Sequence, residues 1–116
     1  LLQTLDEIKD EFKTCIFLKA VENEKIIGSV RGNIIDSETC YIWRLIVHPD
    51  FQNQGIGTKL MKEIEDKFSY CKKFELITGH KSEKNIKLYE KLNYNIYKME
   101  KLTDNLNLVY LEKINL

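Results

Sequence analysis

The run Gln52-Asn53-Gln54-Gly55-Ile56-Gly57-Thr58 holds the densest chemistry in this chain. Gly55 and Gly57 carry no side chain to screen their backbone N–H groups, and Thr58 adds a hydroxyl. At the start of a helix such amides have no partner within the helix, so a phosphate can approach them. The aligned peptide dipoles add roughly 0.3–1 kcal/mol for an anion there. Close packing of a strand-to-helix turn uses the same glycines, and the turn alone leaves both readings open. A second pair, Asn85 and Tyr89, is four residues apart and so shares one helix face. A phenol with an ordinary pKa near ~10 stays protonated at neutral pH and can donate to a leaving group. It can equally pack its ring in a core with a satisfied hydroxyl. Trp43 and Arg44 offer an apolar wall and a cation, or plain packing. His48 and His80 lie far apart and near no ligand cluster, so no metal site is expected. Cys15, Cys40 and Cys71 contain no Cys-x-x-Cys pair, and buried, reduced thiols are expected.

The elements that must hold these residues follow from periodicity. Residues 40–47, ending in Ile46 and Val47, are β-branched and aromatic and read as a strand that Pro49 stops. Ile56, Leu60, Met61, Ile64 and Phe68 recur at helical spacing, giving a helix over 55–69. Residues 73–79 read as a further strand, so strands 40–47 and 73–79 run parallel around that helix. Ahead of this unit, an apolar stripe of Leu1, Leu5, Ile8 and Phe12 predicts a helix over 1–12. Strands at 15–21 and 26–35 then make a meander with 40–47, and Gly28 and Gly32 point to a bulge or a close backbone approach. Behind it come a helix over about 82–93 with Ser82 at its N-cap, and a hairpin of 94–101 with 106–113. The fold class is α+β: a mixed, mostly antiparallel sheet with helices on both faces, one domain over 1–116.

Eighteen basic residues balance eighteen acidic ones, which argues against nucleic acid or an anionic membrane as partner. No apolar run approaches the ~20 residues a membrane span needs, and the N-terminus has no signal-peptide pattern. A cytoplasmic location is expected. A Walker loop is excluded because Thr58-Lys59 follows Gly57, and a dinucleotide fingerprint because Leu60 stands where a third glycine belongs.

Gln52-Asn53-Gln54-Gly55-Ile56-Gly57, preceded by Leu45-Ile46-Val47-His48-Pro49, resembles the Gln/Arg-x-x-Gly-x-Gly/Ala signature of GNAT-type N-acetyltransferases. Asn85 to Tyr94 is similar to that family's Asn-x-x-x-Tyr-x-x-x-Gly-Tyr/Phe. The resemblance covers about residues 13–113. It implies acetyl-CoA as co-substrate, no metal, and direct transfer of the acetyl group to a primary amine on a small molecule or peptide. The turn 52–58 would hold the pyrophosphate, Asn85 the CoA arm, backbone groups at Ile46 and Val47 the acyl carbonyl, and Tyr89 the departing sulfur. Asn93 replaces the usual glycine and is expected to take a left-handed backbone. Where many relatives carry a glutamate that serves the incoming amine, Trp43 and Arg44 stand as acceptor-binding candidates, leaving Glu38, Glu75 and His80 as candidate bases. The family's first strand and first helix are not evident, which leaves an edge at 15–21 for a homodimer or for the helix at 1–12 to cover. The alternative from another class is a catalytically inactive CoA-binding regulatory or interaction module. A third is a domain whose amides bind a different anion.

Overall fold

Residues 2–4 and 15–116 are described by a computed structural model. They form a seven-stranded sheet in the order β1-β2-β3-β4-β5-β7-β6. The strands are β1 (Leu2–Thr4), β2 (Ile16–Glu22), β3 (Lys25–Ile34), β4 (Thr39–Val47), β5 (Lys73–Gly79), β6 (Asn95–Thr103) and β7 (Leu106–Ile114). The helices are α1 (Ile56–Lys67) and α2 (Glu83–Lys91), and a short 3-10 turn spans Pro49–Phe51. All neighbouring strands run antiparallel except β4 and β5, which are parallel as expected.

Two expectations are corrected at the N-terminus. The chain carries a strand at Leu2–Thr4 where a helix over 1–12 was expected, and it pairs antiparallel with Leu18, Lys19 and Ala20 of β2. So the sheet does not lack a strand before β2, and the edge at 15–21 is not bare. The remainder of the expected helix falls outside the described residues. A three-residue strand is too short to show a period of two, so nothing local set it apart from the neighbouring helical stripe.

Alternation sets the core. Leu18 and Ala20 of β2, Val30 of β3, Cys40 and Ile42 of β4, Phe74 and Leu76 of β5, and Val109 and Leu111 of β7 are buried on one face. Leu60, Met61 and Ile64 of α1 bury against them. The glycines expected to mark a close approach do so: a Cβ at Gly32 would stand 2.9 Å from Ile64 and 3.0 Å from Phe68. At Gly28 it would stand 3.1 Å from Leu60. Side chains there would lift α1 off the sheet.

α2 lies on the same face as α1. Its Leu88 comes so close to Gly57 that a Cβ there would lie 3.0 Å away, and its Tyr89 joins the common core. Both crossovers move across the sheet in one direction, and right-handed connections then put both helices on one side. Tyr94 donates to Glu65 of α1 at 2.8 Å and Lys113 of β7 to the same carboxylate at 2.7 Å, which ties the two helical units together. Ser82 is the N-cap of α2 as expected, yet its side chain makes no capping hydrogen bond. Asn93 takes φ 76° just past α2, as its place in the glycine position implied. The three cysteines are buried and unbonded, and burial raises each thiol pKa. Such thiols are inert.

Candidate functional site

The site begins where the sheet comes apart. β4 and β5 pair only at Thr39, Cys40 and Tyr41 with Lys73, Phe74 and Glu75. Beyond Tyr41 the strands diverge, so among the described residues Ile42–Val47 have no strand partner on the β5 side. At the divergence Arg44 takes φ 53° and the β3–β4 register shifts. A non-glycine residue in that region is strained, and strain of this kind concentrates at sites.

β4 then ends in a built turn. His48 Nδ1 accepts from the Asp50 backbone N–H at 3.1 Å, and Pro49 opens the 3-10 turn. The Gln52 side-chain amide donates back to the Val47 carbonyl at 3.2 Å. Asn53 and Gly55 sit at φ 63° and 80°, which swings the chain into α1. Gly55 is the N-cap of α1; no side chain caps that end and no acidic residue stands in its first turn. The first amides of α1 are therefore left for a ligand.

This helix end opens onto a groove of about 670 Å³. Ile46 and Val47 from β4, Gln52, Asn53 and Gly55 from the turn, and Ile56, Gly57 and Thr58 from α1 line it, with Asn85 across from them on α2. All nine were singled out from the sequence. Gln54, Tyr89, Trp43 and Arg44 do not line it. Tyr89 is 5% exposed and its ring packs against Tyr94. Among the described residues nothing hydrogen-bonds its hydroxyl, and no buried polar side-chain atom is orphaned. The hydroxyl end is thus the part of Tyr89 that reaches open space. Burial pushes its pKa up to about 12.

Sequence reasoning missed the opposite wall. Lys84, Lys87 and Lys91 of α2 line the groove facing the glycine turn. None forms an ion pair among the described residues. Their spacing of three and four was visible, but it reads equally as the solvated side of a helix.

The candidate bases separate by position. Glu38 sits at the far end of β4 and pairs with Lys72 at 3.1 Å. Glu75 lies opposite Tyr41, at the vertex of the divergence, and pairs with Lys73 at 2.9 Å. His80 follows the end of β5, and its Nδ1 accepts from the Asn107 N–H at 2.8 Å, so in the neutral ring the proton is on Nε2. Among the described residues no Asp, Glu or His lines the groove. Among the described residues no cluster of potential ligands could hold a metal, and no helix is long and apolar enough to cross a membrane.

Comparison with known proteins agrees with this architecture. Residues 2–94 match the model of the acetyltransferase (GNAT) family. An acetyltransferase of Pectobacterium atrosepticum is 37% identical over 81 residues, 68% of this chain and 57% of the relative. A GNAT family acetyltransferase from Elizabethkingia anophelis, solved with acetyl-CoA bound, is 28% identical with a TM-score of 0.73, covering 87% of this chain and 76% of that one. An IAA acetyltransferase from Bacillus cereus shares the fold at TM-score 0.81 and 18% identity over 98% of both chains. The chain belongs to the GNAT acetyltransferase family. It spans little more than half the length of the Pectobacterium relative.

Proposed function

We propose that the protein is an acetyl-CoA-dependent N-acetyltransferase that passes the acetyl group directly to a primary amine. One observation carries the reading. The uncapped, glycine-opened end of α1 faces three lysines, unpaired among the described residues, across a groove that runs along the freed edge of β4. CoA supplies a thioester on a pantetheine arm, with phosphates at its other end.

The residues fit that ligand piece by piece. The first-turn amides of α1 and the Thr58 hydroxyl hold the diphosphate. Lys84, Lys87 and Lys91 neutralise phosphate charge from the other wall. The unpaired edge of β4 offers N–H and C=O groups to the amides of the pantetheine arm, as a sheet edge does for an added strand. An N–H near Ile46 or Val47 stabilises charge on the acyl oxygen as the amine attacks. Asn85 holds the arm from α2. Tyr89, one residue from the groove-lining Leu88, presents its hydroxyl to the departing sulfur.

The test begins with Gly55→Asp. Gly55 has open space where a Cβ would go, and although its left-handed backbone strains most side chains, aspartate is among the few that visit it. The variant should fold normally and lose CoA binding in calorimetry, because its carboxylate occupies the phosphate position. Unchanged affinity would remove the groove from the assignment. Turnover on a panel of amines then separates the enzyme from an inactive CoA-binding module.

A further inference from the structure

On the sheet face away from both helices, Arg31 of β3 is stacked on two aromatic rings. Its guanidinium carbon lies 4.3 Å from the Phe17 ring centroid and 5.2 Å from the Trp43 ring. The rings meet edge-on at 89° with centroids 6.5 Å apart. Trp43 is fixed in turn: its indole N–H donates to Asn33 at 2.7 Å, and Asn33 is buried. Phe17, Arg31 and Trp43 stand opposite one another in register on β2, β3 and β4. Their neighbours Leu18, Val30 and Ile42 are buried beneath α1, so the trio points the other way.

Cation–π contacts hold a guanidinium in place without giving its N–H groups an oxygen acceptor. Among the described residues no carboxylate or carbonyl accepts from Arg31. The other charged residues of β2–β4 are Lys19, Glu22, Lys25 and Arg44, so the one acid is Glu22 at the far end of β2. A fixed guanidinium that no oxygen accepts from among the described residues matches a planar or tetrahedral oxyanion. Its position ties it to the groove. Trp43 precedes the strained Arg44 and stands two residues, roughly 7 Å of strand, from groove-lining Leu45. There β4 has left β5, and among the described residues no strand pairing closes the sheet between groove and cluster.

Building on the acetyltransferase reading, we infer that Arg31 binds an oxyanion carried by the amine acceptor. The acceptor is then a small amine that also bears a carboxylate or a phosphate, such as an amino acid. Polyamines and aminoglycosides, which bring only positive charge, are poor acceptors.

Two measurements test this. The first is acetyl transfer to amino acids, to their amides, to O-phosphoethanolamine and to a polyamine. One anionic class should exceed its neutral counterpart at least about tenfold in kcat/KM, and which one identifies carboxylate or phosphate. Arg31→Met should raise KM for that class about 10- to 100-fold, the loss of a charge-assisted pair, with kcat and the acetyl-CoA KM little changed. Arg31→Lys should retain part of the preference and guards against a folding defect. The second measurement does not depend on turnover. Trp43 is the single tryptophan, so its fluorescence reports on Arg31 directly. N-acetylglycine or O-phosphoethanolamine should change the emission saturably in the parent protein and not in Arg31→Met, with acetamide inert in both. Equal use of neutral or cationic amines overturns the inference, and so does an emission unmoved by either anion. If CoA itself fails to bind, the acetyltransferase reading falls while the titration still decides whether Arg31 is an anion site.

Discussion

Tyr89 changes character once its surroundings are known. The family resemblance casts it as the acid that protonates the departing sulfur. Burial pushes its pKa up to about 12, whereas an ordinary thiol sits near ~8.5. The phenol is then the weaker acid by some three units, and full proton transfer to a thiolate runs uphill. Under the proposed reaction its role reduces to that of a neutral hydrogen-bond donor toward the developing charge. Tyr89→Phe should therefore lower kcat by about 10- to 100-fold, the contribution of a hydrogen bond to a charged group, with little change in stability or in CoA affinity. A fall beyond about 10³-fold would restore the role of obligatory acid. The pH profile follows from the same groups. With the phenol protonated well past pH 10, no falling limb from Tyr89 is expected below about pH 11. Among the described residues no base lines the groove, so the rising limb is expected to belong to the acceptor's own amine. Profiles of kcat/KM for two acceptors whose amines differ by about two pKa units should be displaced by that difference. A limb fixed in place for both would reveal a protein base and contradict this assignment.

At the scale of elements, α2 contributes more than its signature residues. It brings Asn85 to the groove, and it brings Lys84, Lys87 and Lys91 with it. Exposed ion pairs are worth roughly 0.2–1 kcal/mol, so each Lys→Ala change should weaken CoA binding about 1.4- to 5-fold. The three together should flatten the salt dependence of CoA affinity, since screened charges are what they supply. Calorimetry at two ionic strengths decides this, and an unaltered salt dependence in the triple variant would take the lysines out of the site. The glycine turn was legible in the sequence because its residue types have few other uses in that order. The lysine wall was not: lysines on a helix surface are common, and only the topology sets α2 opposite the start of α1. β1 escaped for a related reason, since a three-residue strand acquires meaning only from its distant partner β2. Long alternating strands such as β4 and β7 announce themselves locally. The stacked Arg31 needed three strands in register before it existed as a feature at all.

For the molecule as a whole, the weak seam in the middle of the sheet is the join between β4 and β5. Three residue pairs hold it, against seven between β5 and β7. The groove lies beside this seam, so CoA bound there would touch β4, α1 and α2 at once. Binding to the folded state alone stabilises by about 2.7 kcal/mol at a hundredfold excess over Kd. For a chain of this size that corresponds to a rise of about 10 °C in Tm. A simple phosphate clamp would give a similar shift, so the distribution of the protection is the sharper reading. Amide exchange should slow at Ile42–Val47 and near the end of β5 as well as in the first turn of α1. β6 and β7 should change little, because they lie beyond β5 and away from the groove. Protection restricted to residues 52–58 would mean that the protein grips a phosphate and leaves the strand edge free. The pantetheine arm would then have no seat along β4, and with it would go the path that carries an acyl group from the groove toward Trp43 and Arg31.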